Sequence, residues 1–187
     1  MSLDSAYLSL FYQEDETKLH KTLDMHEDFE FLFHIDNELD ILNLFLYHAV
    51  YVEPGSPMPA PSIVESPELV RYTENWGKPG DLAVFALLED QVVGACWIRL
   101  FPDEAPGYGT IDPNIPELSI AVLPGFRGRG IGTRLLGTLF EQIESSVPGV
   151  SLSVSEINPA RRLYEKVGFK IIKAHGNSLV MLKRISE

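Results

Sequence analysis

The stretch Glu117-Leu118-Ser119-Ile120-Ala121-Val122-Leu123-Pro124-Gly125-Phe126-Arg127-Gly128-Arg129-Gly130-Ile131-Gly132 decides the fold. Leu118, Ile120 and Val122 alternate with Glu117, Ser119 and Ala121, which predicts a strand with one apolar face and Glu117 on the other. Pro124-Gly125 ends that strand. Beyond the glycines, Ile131, Leu135, Leu136, Leu139, Phe140 and Ile143 recur at helical spacing, so a helix is expected from about Gly130 to Ser145. A strand, a glycine-rich turn and a helix in this order bring several main-chain N–H groups to a helix N-terminus. There the dipole and the unpaired donors favour an anion such as pyrophosphate. Glycine suits the turn because it has no Cβ to hold phosphate oxygens away and accepts unusual φ angles. Arg127 and Arg129 add positive charge, either for a diphosphate or for a more remote ligand phosphate.

Other phosphate loops fail letter by letter. A dinucleotide fingerprint starting at Gly128 and Gly130 needs glycine where Thr133 stands, and a Walker A loop needs Lys where Ile131 follows Gly130.

Working outward, Phe29 to Ile35 alternates and is aromatic-rich, predicting a first strand. Asp36 or Asn37 then caps a helix to about Val50. Glu53 to Ser66 is proline-rich and reads as a loop, and Ser66-Pro67-Glu68 opens a second helix ending before Gly77. Leu82 to Leu88 and Val92 to Phe101 are strand-like runs at hairpin spacing. The Gly- and Pro-rich loop from Pro102 to Pro116 borders a ligand cleft in this reading. Ser151 to Val154 is a short strand, Asn158-Pro159 starts a helix ending at Gly168, and Phe169 to Ala174 and Ser178 to Arg184 form a closing hairpin.

Composition narrows the function classes. Net charge is −12 over 187 residues, unevenly spread: Met1 to Gly55 holds twelve acids against Lys18 and Lys21, while Ile120 to Lys173 holds eight basic residues against Glu141, Glu144, Glu156 and Glu165. The acidic half argues against nucleic acid as a partner, and the basic segment tolerates an anionic ligand. No apolar run reaches the roughly 18 residues that a membrane span needs. The N-terminus lacks the positive region of a secretion signal, so a cytoplasmic location is expected. Cys96 is the only cysteine, which excludes an intramolecular disulfide and a Cys-based zinc site and suits a packed, inert thiol. His20, His26, His34, His48 and His175 show no metal-binding spacing, and no metal site is expected. Residues 1–28 are read as an acidic extension and 29–187 as one domain.

The motifs also carry a resemblance. Val122-x-Pro124-x-x-Arg127-Gly128-x-Gly130-x-Gly132 resembles the acetyl-CoA signature of the GNAT family of N-acetyltransferases. Asn158-Pro159-Ala160-Arg161-Arg162-Leu163-Tyr164-x-x-x-Gly168-Phe169 resembles that family's second motif at the usual distance downstream. The run from Trp76-Gly77-x-Pro79-Gly80-Asp81 to Pro116-Glu117-Leu118-Ser119-Ile120 is similar to a bacterial branch of the same family. The resemblance spans roughly Phe29 to Arg184. It implies an α/β (α+β) GNAT fold: a mixed, mostly antiparallel sheet of about six to seven strands flanked by about four helices.

It further implies acetyl-CoA as acyl donor and a primary amine of a small molecule, peptide or protein as acceptor; a homodimer is compatible with it. The cofactor-binding residues it marks are Ile120, Val122, Arg127, Gly128, Arg129, Gly130, Ile131, Gly132, Thr133, Asn158 and Tyr164. Glu117 occupies the strand where the family commonly carries a carboxylate base, acting directly or through water; an exposed strand acid, or a charge that only attracts a cationic amine, is the alternative. Tyr164 resembles the tyrosine that protonates the departing thiolate, and packing between helix and sheet is its alternative. Asn158 caps a helix and, by the resemblance, hydrogen-bonds the pantetheine arm. Arg134 and Arg162 read as phosphate-end or solvated helix charges. A non-catalytic acyl-CoA-binding module remains the competing function.

Overall fold

The computed structural model describes residues 28–143 and 146–185. All but the last residue of the expected extension, and the expected helix end at residue 145, lie outside them.

The chain forms β1 (Phe29–Leu32), α1 (Glu38–Ala49), a short α2 (Pro67–Val70), β2 (Leu82–Leu88), β3 (Gln91–Arg99), β4 (Glu117–Val122), α3 (Ile131–Ile143), β5 (Gly149–Ser155), α4 (Arg161–Lys166), β6 (Lys170–His175) and β7 (Ser178–Arg184). The strands make one seven-stranded sheet in the order β1-β2-β3-β4-β5-β7-β6. Every neighbouring pair is antiparallel except β4 with β5. The expected mixed, mostly antiparallel sheet is therefore present, with the closing hairpin turned so that β7 lies inside and β6 at the edge.

Apolar alternation places one core on each face. Val84, Cys96, Ile98 and Leu118 pack on one side with Leu135, Leu136 and Leu139 of α3 and Tyr164 of α4. Ala83, Phe85, Trp97 and Ala121 pack on the other with Ile41, Leu42, Phe45 and Leu46 of α1. Each face of the central strands is covered, which is why their sequences read as near-continuous apolar runs.

Several element ends differ from the sequence reading. Asn37 precedes α1 in a left-handed conformation, φ 57°, without a side-chain cap; Glu38 Oε1 instead accepts the Ile35 N–H at 3.3 Å. The second helix stops at Val70, and part of the preceding loop is a 3₁₀ helix, Pro61–Glu65. Asn158 Oδ1 accepts the Ala160 N–H at 2.9 Å, so it caps the turn leading into α4. Gly168, φ 99°, ends α4 with its N–H on Glu165 O and the Phe169 N–H on Tyr164 O, the paired hydrogen bonds of a Schellman cap.

Candidate functional site

The site is built where β4 leaves its parallel neighbour. β4 and β5 share a single register position, Glu117 with Ser151, tied by the Ser151 N–H on Pro116 O at 3.0 Å. β5 goes on to pair with β7 along its whole length, while β4 stays with β3. The Leu123 N–H donates to Val93 O at 2.9 Å, so strand alternation turns the main-chain groups of Ile120 and Val122 away from β3. They face a wedge that opens from Glu117 toward the end of β4, with no β5 residue in register. An extended ligand carrying amides fits such an edge as an added strand would.

The wide end of the wedge meets the glycine-rich turn. Pro124–Phe126 form a 3₁₀ turn, and Gly128 and Gly130 both have φ 80° with open space where a Cβ would stand. Their glycines are required by conformation and leave the main chain bare. The Gly130 carbonyl accepts the first helical bond, from the Arg134 N–H at 3.1 Å. Ile131, Gly132 and Thr133 are thus first-turn residues whose N–H groups have no helical acceptor. Gly132 has a packing reason as well: its Cβ would stand 3.1 Å from Leu163 Cδ2 of α4.

The arginines shape this end. Arg127 Nε donates to Val122 O at 2.9 Å. Arg129 reaches Gly125 O at 2.9 Å and lies over the Phe126 ring. Arg134, by contrast, donates to Phe29 O at 3.3 Å and covers Phe31, so it ties β1 to α3 rather than serving only as a solvated charge. Arg161 pairs with Glu165 one turn along α4.

Valine at Gly130 is expected to strain the loop by about 1–3 kcal/mol and to weaken binding of a phosphate-bearing ligand by roughly ten-fold or more, read by calorimetry on folded Gly130→Val.

At the narrow end Glu117 is 3 % exposed, which removes the alternative of an exposed strand acid. Its Oε1 accepts the Tyr72 hydroxyl at 2.8 Å and the Gly109 N–H at 2.8 Å, and its Oε2 accepts the Thr110 hydroxyl at 3.1 Å. Burial pushes the carboxyl above its usual range; the bonds from Tyr72, Gly109 and Thr110, then the positive Arg71, pull the other way without cancelling it. The loop does border the site, as a roof. Gly109 lies so close to Leu152 and Ser153 of β5 that a Cβ would stand 2.4 Å from Leu152 C, and a Cβ on Gly107 would stand 2.3 Å from Glu117 Oε2.

Tyr72, Thr110 and the loop glycines went unmarked in the sequence reading. The available signal was Gly107-x-Gly109-Thr110 a few residues before a strand acid; nothing local pointed to Tyr72.

Tyr164 is buried, set edge-on to Phe169, on the α3 face with Ile120 and Cys96. Burial, with the nearby Cys96 thiol second, raises its pKa. Releasing its proton therefore costs more than for a free phenol. Glu117, bonded to Tyr72 of the α1-face core, and Tyr164, in the α3-face core, lie on opposite faces of the sheet. Among the described residues no cluster of His, Cys, Asp and Glu is placed to hold a metal, and no helix is long and apolar enough to cross a membrane.

An open strand edge leading to a bare glycine turn and a helix N-terminus is an arrangement that suits an extended, phosphate-ended ligand. Comparison with known proteins agrees. The family model described as Acetyltransferase (GNAT) family matches residues 47–169. The chain belongs to that family. It is 45% identical over 89 residues to the [ribosomal protein bS18]-alanine N-acetyltransferase of Haemophilus influenzae, a match covering 47% of this chain and 54% of that protein; the match thus spans about half the length of that curated relative.

Among solved structures, the ribosomal-protein-S18-alanine N-acetyltransferase of Escherichia coli superposes with a TM-score of 0.60 at 16% identity, covering 86% of this chain and 96% of that one. The PaiA N-acetyltransferase of Thermoplasma acidophilum, solved with coenzyme A, superposes with a TM-score of 0.59 at 18% identity, covering 84% and 99%. At these identities the structures establish the shared fold.

Proposed function

We propose that this protein is an N-acetyltransferase that moves the acetyl group of acetyl-CoA to a primary amine of a small molecule, peptide or protein. The observation that carries the reading is the wedge between β4 and β5, which opens after a single register position onto the N-terminus of α3. The main-chain edge of Ile120 and Val122 would hold the pantetheine arm. Arg127, Gly128, Arg129, Gly130, Ile131, Gly132 and Thr133 would cradle the diphosphate, and Asn158, at the turn into α4, would meet the arm from the other side.

Acyl transfer needs a neutral amine, a donor for the oxyanion and a proton for the thiolate. In this reading the amine nitrogen attacks the thioester carbonyl while its proton passes to Glu117, directly or through water. The Val122 N–H stabilises the oxyanion. When the carbon–sulfur bond breaks, the Tyr164 hydroxyl donates to the sulfur. Burial raises the Tyr164 pKa, which works against full transfer of that proton and favours a hydrogen bond to the departing sulfur.

The acceptor class is left open by the fold. The relative from Haemophilus influenzae acts, by its name, on an alanine of a ribosomal protein, so a peptide with an N-terminal alanine belongs in any trial beside small amines. The closed roof over Glu117 favours a second reading, a non-catalytic acyl-CoA-binding module. Incubation with acetyl-CoA and such an amine panel, followed by mass spectrometry, separates the two. The proposal expects a product heavier by one acetyl group; acyl-CoA binding without transfer to any amine would leave the module.

A cytoplasmic location, where the chain would meet acetyl-CoA, belongs to the same proposal. A single chain supplies every residue of the wedge, so the site does not depend on a homodimer, which sedimentation would detect.

A further inference from the structure

Two hydroxyls bond Glu117, and the roof fixes the direction of both. The Tyr72 oxygen accepts the Tyr108 N–H at 2.7 Å, and its proton is thereby turned to Glu117 Oε1 at 2.8 Å. The Thr110 oxygen accepts the Gly107 N–H at 2.8 Å, leaving its proton for Glu117 Oε2 at 3.1 Å. Main-chain N–H groups of one loop thus make both side chains donors toward the carboxylate, and such donors favour its ionised form against the burial that raises its pKa.

Tyr72 is itself held from several sides. Its carbonyl accepts the Trp97 indole N–H at 3.1 Å. The neighbouring carbonyls of Arg71 and Glu74 accept Arg99. Its ring stacks on Tyr108 at 6.3 Å and meets Phe101 edge-on at 5.0 Å. Such a fixed hydroxyl has little freedom to turn away.

Resting on the proposed role of Glu117 as base, we infer that Tyr72 is a positioning residue: its hydroxyl, oriented by the Tyr108 N–H, aims Glu117 and sets the pH at which that carboxyl gains its proton. The other titratable or charged groups around Glu117 do not duplicate this. Arg71, from the segment after α2, adds only long-range positive charge. Arg99, opposite Glu117 in register on β3, is engaged by Asp81. Tyr108, from the loop, reaches the carboxylate only through its N–H on Tyr72. β5 presents Ser151, which does not titrate.

The test follows Glu117 by infrared difference titration of its carboxyl band, assigned against Glu117→Gln, alongside pH–rate profiles of acetyl transfer. Tyr72→Phe removes one donor to the carboxylate and is expected to move the titration upward by about one pH unit. The acid limb of the rate profile should move with it while acetyl-CoA affinity stays unchanged. Fluorotyrosine incorporated at Tyr72, a stronger donor of the same shape, should move both downward; it serves even where the Phe variant folds poorly.

A titration that moves in neither variant overturns the inference. Full activity in Glu117→Gln together with a shifted titration would instead overturn the base assignment and leave the role of Tyr72 in the ionisation standing.

Discussion

Acetyl transfer by Glu117→Gln is expected to fall by about 10²–10⁴-fold, the usual contribution of a positioned acid–base group. Acetyl-CoA binding should be kept. Glutamine preserves the shape: its Oε1 still accepts the Tyr72 hydroxyl and the Gly109 N–H, and its amide can donate to Thr110 Oγ1, which has a lone pair to spare. The fold therefore survives while the capacity to take a proton is lost.

The pH dependence has a definite sign. Burial raises the Glu117 pKa, so the ionised base appears only above the ordinary carboxylate range. Acetyl transfer by the unaltered protein should rise with pH through that raised value and fall as pH drops through it. The linkage to folding runs the other way. A carboxyl that holds its proton more readily when folded favours the folded state below its unfolded pKa, and that contribution is lost as pH rises through the raised value. Glu117→Gln should flatten the rate profile's acid limb. An unchanged rate would contradict the assignment.

The largest loss of stability is expected from Asp81→Ala. Arg99 is 2 % exposed and donates through Nε and Nη2 to Asp81, with further bonds to the carbonyls of Arg71, Glu74 and Asn75. Removing one partner of a buried pair strands the other charge and costs about 3–5 kcal/mol. Asp81 Oδ2 also accepts the N–H groups of Gly77 and Lys78, so the turn before β2 loses its anchor as well. Urea unfolding should show a lower midpoint for Asp81→Ala. Adding Arg99→Met should cost less than the sum of the single changes, since the stranded charge is gone. A loss below about 1 kcal/mol, typical of an exposed pair, would contradict the burial.

This pair explains what the second helix concealed. Ser66-Pro67-Glu68 predicts a helix running to Gly77, yet α2 ends at Val70. Arg99, a residue far along the chain, takes the Arg71 carbonyl that a continuing helix would have used, together with that of Glu74, and Asn75 turns to φ 51°. A bond between segments so far apart leaves no local trace. The Trp76 to Asp81 resemblance pointed to the spot; only the tertiary contacts show why those residues are needed.

β4, the glycine turn and α3 were legible because their signals are local. A period of two gives way to glycines whose positive φ no other residue adopts cheaply, and then to a period of 3.6. The sheet's mixed character was likewise within reach of the motif order. The placement of β7 between β5 and β6 was not, since either strand of that hairpin could pair with β5 on pattern alone. At the site, the alternation of β4 placed Glu117 opposite the Leu118 and Ile120 face, but its burial was not legible. Its cover comes from Tyr72, which the pattern places in the second helix, and from Gly107 to Thr110, whose letters describe ordinary loop.

The central claim is that the wedge between β4 and β5, closed at its wide end by residues 127–133, binds acetyl-CoA. Isothermal titration calorimetry of the full chain with acetyl-CoA tests it most directly. One molecule bound per chain is predicted, with affinity sharply reduced in Gly130→Val and unaltered in Glu117→Gln. No heat of binding at millimolar acetyl-CoA, or equal affinity in Gly130→Val, would contradict it.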